Sequence, residues 1–169
     1  EISKQINNHQ AIFTSNKDRN LNLLIDIWKN DIFPHNNKLR LLVNSERDNE
    51  KNFGIFKRET GHQQKLVTDL KNSRLYLIPG HKAELFCLAA EEARELCIPI
   101  ITLGIGCLKE RVEHGVTGYI AKTKDEFVKY TFELFNDDAK WNFFRNNLIK
   151  KRSLRTWDKV AEDLINQIR

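Results

Sequence analysis

Two glutamates eight residues apart, Glu84 and Glu92, stand in the stretch PGHKAELFCLAAEEARELCIP, residues 79–99. The apolar spacing after Glu84 predicts a helix over 85–97. Glu84 then precedes the helix, and Glu92 lies two turns into it, about 12 Å further along the axis. Between them the backbone N–H groups of Phe86, Cys87 and Leu88 open the helix, unpaired and at the positive end of its dipole. That is a seat for phosphate or pyrophosphate. A carboxylate beside such a seat cannot bind phosphate, but it accepts hydrogen bonds from hydroxyls. One carboxylate on each side suits a sugar at one end of a diphosphate and a ribose at the other, the layout of a nucleoside-diphosphate sugar.

Such groups need a frame, and the rest of the chain supplies one. Residues 10–14 (QAIFT), 38–43 (KLRLLV), 74–78 (RLYLI), 99–103 (PIITL) and 117–121 read as strands. The fourth is almost wholly apolar, which suits a strand covered on both faces. Helical spacing recurs over 21–30, 62–70, 85–97, 109–113, 124–135, 139–151 and 156–168. Residues 44–60 read as a polar, irregular excursion, long for a loop. Strands alternating with helices give an α/β fold: a Rossmann-like, doubly wound, mostly parallel sheet with helices on both faces. Ligands of such sheets bind at the carboxyl ends of the strands, where 84–92 begins. Gly104 and Gly106 follow the fourth strand there, as a ligand-contacting loop or simply as the strand's terminator. Trp28, Trp141 and Trp157 read as core anchors rather than sugar-stacking platforms, and His81 as an exposed loop histidine, with a place facing the cleft near Glu84 as the alternative.

The chain has 169 residues, one domain's worth, with 40% hydrophobic residues and 10 Phe, 3 Tyr and 3 Trp. That suffices for an ordered core and excludes wholesale disorder. No apolar run approaches a membrane span. The sequence contains no Met, so residues 1–169 are expected to be a piece of a longer protein. Cys87, Cys97 and Cys107 show no metal-ligand spacing and read as reduced thiols of a cytoplasmic protein. The five His likewise show no zinc pattern. The net charge of +5 gathers late, with Lys140, Arg145, Lys150, Lys151, Arg152, Arg155, Lys159 and Arg169. Either a solvated face or a membrane-peripheral contact with anionic lipid would account for it. No aromatic-interleaved basic stripe points to nucleic acid.

The pattern around Glu84 resembles the C-terminal, donor-binding half of GT-B glycosyltransferases of the retaining family 4 type, also called group 1. That family carries E-x-F-G-x-x-x-x-E-A-x-x-x-G-x-P-V, and this chain has Glu84, Phe86, Glu92, Ala93, Pro99 and Ile100 in those places. The family's Gly loop, Glu and x-G-x-x-G turn are matched by Gly104, Gly106, Glu110, Gly115 and Gly118. Residues 15–24 (SNKDRNLNLL) are similar to its loop and helix after the first strand, so the resemblance spans most of 10–130.

What the resemblance implies is specific. Glu84 would contact the transferred sugar and Glu92 the ribose, while the amides of Phe86, Cys87 and Leu88 bind phosphate oxygens. Arg19 stands in the place of the basic residue paired with the diphosphate, where it would neutralise charge on the leaving group. Read alone, Arg19 is equally a surface charge. The family works without a metal or other cofactor, and no Asp-x-Asp pair is present. Transfer with retention would proceed on one face of the sugar, the leaving phosphate helping to deprotonate the acceptor. An N-terminal half, supplying the acceptor site, would be the missing partner. A non-catalytic α/β module binding a nucleotide or an anionic surface is the alternative.

Four positions depart from the family pattern. Cys87 and Cys97 replace glycines, which would strain any position needing a positive φ. Thr14 and Ser15 replace the Gly-Arg after the first strand, leaving Lys17 as the substitute cation. Asn44 and Ser45 replace a Gly-x-Gly after the second, which bears on recognition of the base.

Overall fold

In the computed structural model the described residues are 7–44, 48–59, 61–152 and 156–168. The apolar runs form the strands β1 (Asn7–Phe13), β2 (Arg40–Val43), β3 (Ile55–Lys57), β4 (Ser73–Leu77), β5 (Ile100–Thr102) and β6 (Gly118–Ile120). Between and after them lie α1 (Leu21–Ile27), α2 (Gln63–Lys71), α3 (Leu88–Glu95), α4 (Leu108–Arg111), α5 (Lys124–Asn136), α6 (Asp138–Arg152) and α7 (Trp157–Ile168). The strands make one sheet in the order β3-β2-β1-β4-β5-β6. Every pairing among them is parallel, so "mostly parallel" becomes wholly parallel in the described sheet.

This strand order has one reversal of direction. The chain winds outward from β1 to β2 and β3, then crosses back to β4 and winds the other way. Right-handed crossovers therefore put α1 on one face and α2 and α3 on the other. The doubly covered sheet explains why β4 and β5 are buried along their whole length. The reversal lies between β1 and β4, and in sheets of this order the crevice that binds ligands lies at the strands' carboxyl ends there.

Three features differ from the sequence reading. Residues 44–60 are not wholly irregular, since they include a 3₁₀ segment, Asp48–Phe53, and the edge strand β3. At three residues β3 is too short to show alternation. Second, the helix expected over 85–97 begins only at Leu88. Third, Trp157 is no core anchor: it is 87% exposed on α7, whose Val160, Leu164, Ile165 and Ile168 are exposed as well. Trp28 and Trp141 are buried as expected, donating through Nε1 to the carbonyls of Phe53 and Arg74.

A buried cation pins the amino end of the sheet. Arg74, 2% exposed, donates to the Leu134 carbonyl at 2.7 Å, to Asn8 at 3.2 Å and to Asp138 at 2.6 Å. Its guanidinium also lies over the Trp141 ring. One side chain thus joins β1 and β4 to α5 and α6. The cations of α6 are largely engaged within the chain: Lys140 with Glu133, Lys151 with Glu113, Arg152 with Glu95. No described helix is long and apolar enough to cross a membrane.

Helix α3 ends in a Schellman motif. The Cys97 N–H donates to the Arg94 carbonyl and the Ile98 N–H to that of Ala93, with Cys97 at φ 57°. A non-glycine residue there costs about 1 kcal/mol of backbone strain. Cys97→Gly is therefore expected to be more stable than Cys97→Ala by about 1 kcal/mol, although Ala is the larger residue. Equal melting temperatures for the two variants would refute the strain.

Candidate active site

The crevice at the β1/β4 reversal holds the two residues singled out as catalytic. Arg19 ends the loop after β1, a turn closed by its own N–H to the Asn16 carbonyl and by Asn16 Oδ1 accepting from the Asp18 N–H. Asn20 follows at φ 63°, a left-handed position that asparagine tolerates. Its side-chain amide donates to the Gly80 carbonyl, tying this loop to the one after β4. The tie brings Arg19 Nε to 3.2 Å from Glu84 Oε2. Residues 65 apart in sequence are thereby an ion pair at the mouth of the sheet. The Arg19 side chain is 30% exposed and that of Glu84 13%, so the pair is sheltered but reachable.

Glu84 is held by its own turn. Its N–H donates to the His81 carbonyl, and its carbonyl accepts from the Cys107 N–H on the loop after β5. Close approach of those two loops depends on Gly106. A Cβ built there would lie 2.4 Å from the His81 carbonyl oxygen and 2.9 Å from that of Glu84, at φ +70°. Gly104 instead lies against the Ile120 side chain, on the β6 side. His81 is more engaged than an exposed loop histidine. Its Nδ1 accepts from the Ala83 N–H at 3.1 Å and lies 3.4 Å from Arg19 Nη1.

Helix α3 opens at Leu88, so the amides expected to face a phosphate are not all at its start. Cys87 is the N-cap of α3, with no side-chain cap bond, and the Ala90 and Glu91 N–H groups both turn back to its carbonyl. The first helical amides are those of Leu88 and Ala89, so of the expected trio only Leu88 belongs to the helix; Phe86 precedes the cap. Leu85, Phe86 and Leu88 present exposed apolar side chains around the α3 N-terminus. Arg111 stacks on the Phe86 ring at 4.3 Å and donates to the Phe86 carbonyl, fixing that rim. Ser15 is buried at the base of the β1 loop, and Lys17 is exposed on it. Glu92 is half-buried on α3, and burial raises its pKa above the usual carboxylate value, opposed by the positive charge of Arg58. Ser45 lies outside the described residues.

Comparison with known proteins places this geometry. The family model described as Glycosyl transferases group 1 matches residues 34–152, well over half of the chain. The chain belongs to the group 1 glycosyl transferases. No curated protein sequence matches it significantly. Among solved structures it is similar to the pneumococcal O-GlcNAc transferase GtfA, solved with UDP and GlcNAc. The TM-score is 0.77 at 14% identity, over 99% of this chain and 37% of GtfA. It is similar as well to Anabaena Alr3699/HepE, solved with UDP and glucose, with TM-score 0.70, 18% identity, and 94% and 48% of the two chains covered. The C-terminal domain of the group 1 family protein LpcC from Francisella tularensis gives TM-score 0.68 at 15% identity, over 89% of this chain and 88% of that one. These likenesses establish the fold, which is that of a GT-B C-terminal half. The chain spans little more than a third of GtfA and about half of HepE.

Membership of group 1 shows why two of the three cysteines, Cys87 and Cys97, are unusual. Both sit at the family's glycine positions and both adopt positive φ, 60° at Cys87 and 57° at Cys97. Cys87 is buried, and desolvation pushes its thiol up to about 11. It is protonated at neutral pH and is no nucleophile. Sequence reasoning missed Asn20, which ties the loops after β1 and β4 together, and Arg58, whose charge acts on Glu92. Asn20 announces itself only by standing in a tight polar turn, and Arg58 lay hidden in residues 44–60.

Proposed function

We propose that this chain is the donor-binding half of a retaining, metal-independent glycosyltransferase that moves a sugar from a nucleoside diphosphate to a glycan or lipid-linked acceptor. The supporting observation is the Arg19–Glu84 pair, gathered at the sheet's reversal beside the α3 N-terminus. A diphosphate seated on the Leu88 and Ala89 amides would take Arg19 as its counter-ion, and the helix dipole would add to it. Two cationic elements then carry the charge that a metal would otherwise neutralise as the leaving group departs. Glu84, released toward the sugar, accepts its hydroxyls; Glu92 accepts those of the ribose. UDP is the favoured nucleotide, because GtfA and HepE were both solved with UDP.

The acceptor site and the closure of the crevice belong in this proposal to a second, N-terminal half, so the 169 residues alone are expected to bind donor while transferring sugar poorly. The test is a thermal-shift panel with UDP-, GDP-, ADP- and dTDP-sugars. A donor with a dissociation constant of about 0.1 mM, present at about 1 mM, stabilises by about 1.4 kcal/mol. That raises the melting temperature by about 3 to 6 °C for a domain this size. The shift should appear with the UDP-sugar and vanish in Glu92→Ala. A shift equal in wild type and Glu92→Ala would remove Glu92 from the site.

A further inference from the structure

A line of hydrogen bonds runs along the carboxyl ends of four strands, at the same edge as the Arg19–Glu84 pair. Asp69 on α2 accepts from Arg58 Nε at 2.8 Å, and Arg58 Nη1 donates to Asn44 Oδ1 at 2.8 Å. Asn44 Nδ2 donates to the Thr14 carbonyl at 2.7 Å. The Thr14 hydroxyl lies 3.2 Å from the Tyr76 hydroxyl, within the buried β4. The Arg58 N–H also donates to the Val43 carbonyl. Arg58 follows β3, Asn44 follows β2 and Thr14 follows β1, so one guanidinium joins the exits of three strands. It is only 6% exposed. Keeping a charge that deep is costly, and neutral side chains could tie the strands together without that cost.

We propose that Arg58 is a positioning residue of the donor site: it locks the exits of β1, β2 and β3 into one frame and presents a fixed positive charge to Glu92. The inference rests on the donor-binding reading above. Among the groups around Glu92, Arg58 is the one whose charge favours the ionised carboxylate, against the effect of burial. The neighbouring groups are directed elsewhere. Glu91 pairs with Arg94 on α3 itself and with Arg111 on α4. On α6, Arg152 pairs with Glu95, and Arg145 lies over Trp141. Strand β5 has no titratable residue, and Tyr76 of β4 is neutral, its hydroxyl raised by burial. The frame stands where the family's Gly-x-Gly after the second strand is replaced by Asn44 and Ser45, and Asn44 is one of its members.

The sign of the pH effect follows. Ribose hydroxyls bond more strongly to ionised Glu92, which accepts through both oxygens, than to its protonated form, so donor binding favours loss of the Glu92 proton. Affinity therefore falls as pH drops through the Glu92 pKa. Without Arg58 that pKa rises further, and the fall begins at higher pH. The experiment is calorimetric titration of the chain with UDP-glucose between about pH 4.5 and pH 8; UDP itself is unsuitable, because its terminal phosphate titrates at about pH 6.

Glu92→Gln should flatten the acid limb. Arg58→Gln should weaken UDP-glucose about tenfold at neutral pH and move the limb upward. Arg58→Lys, which keeps the charge but not the fork, should weaken binding with the limb where the wild type has it. A limb unmoved in Arg58→Gln would overturn the inference, whatever the loss of affinity. Should Arg58→Gln fail to melt cooperatively, Arg58→Lys decides: weakened binding with an unmoved limb supports the frame, and wild-type binding overturns it. Failure of wild type to bind UDP-glucose would instead defeat the donor reading itself. Binding with a limb that Glu92→Gln flattens and Arg58→Gln leaves in place would defeat this inference alone.

Discussion

Arg19→Ala is expected to weaken UDP binding about a hundredfold, the largest effect on ligand affinity that any single side chain of the crevice should produce. Charge-assisted hydrogen bonds to phosphate contribute about 1.5 to 3 kcal/mol each, and a guanidinium can make two in parallel. In the free chain that guanidinium is already engaged, 3.2 Å from Glu84. A diphosphate must draw it away, so part of the binding energy goes into breaking the pair. The consequence is a contrast between two variants. Glu84→Ala releases Arg19, and UDP should then bind as well as to wild type or somewhat better. The same variant should weaken UDP-glucose relative to UDP when each is compared with wild type, because the hydroxyl acceptor is gone. Calorimetry with UDP and with UDP-glucose reads both. Arg19→Ala within a factor of about two of wild type would sink the counter-ion role, since one lost charge-assisted bond already exceeds that.

The largest expected effect on folding lies at Gly118. It opens β6 opposite Ile100, and a Cβ there would lie 2.1 Å from the Ile100 carbonyl oxygen and 2.9 Å from its nitrogen. Both are backbone atoms of β5, a strand buried along its length and paired to β4 on its other side. Neither atom can yield without disturbing the loops that leave β4 and β5, which carry Glu84 and Gly106. Gly118→Ala should therefore cost about 3 kcal/mol by overpacking, lowering the melting temperature by about 6 to 12 °C. Gly61→Ala is the control, because a Cβ there meets nothing within 4 Å at an ordinary φ. It should melt with the wild type. Equal melting temperatures for both variants would contradict the close β5–β6 pairing.

How far these features were legible in the sequence depended on whether local pattern or tertiary contact decided them. The apolar runs that became β1, β2, β4 and β5 carried their own signal, as did the long helices α5 and α6. The short strand β3 did not, because its three residues pair only with β2 and no alternation can show over that length. The start of α3 was misplaced for a related reason. Leu85 and Phe86 continue the apolar spacing of the helix, yet they sit on a rim held by Arg111, a contact 25 residues distant. The charged groups divided in the same way. Glu84 and Glu92 stood out by spacing, whereas Arg58 matters through Asp69 and Asn44, which no linear pattern joins to it. Strain at Cys87 and Cys97 was foreseeable only by setting them against the glycines of the family. Trp157 was misjudged because a large aromatic residue on an amphipathic helix reads as core; nothing among the described residues buries it.

The account's central claim is that a nucleotide diphosphate sits between Arg19 and the start of α3. Backbone amide NMR of the labelled chain, titrated with UDP, tests it most directly. The expected result is a saturable set of shifts centred on Leu88, Ala89, Arg19, Asn20 and Glu92, with the amino end of the sheet around Arg74 unmoved. Saturable shifts confined to another surface, such as the His114–Tyr119–Tyr130 ring cluster at the β6 edge, or none at all at millimolar UDP, would contradict it.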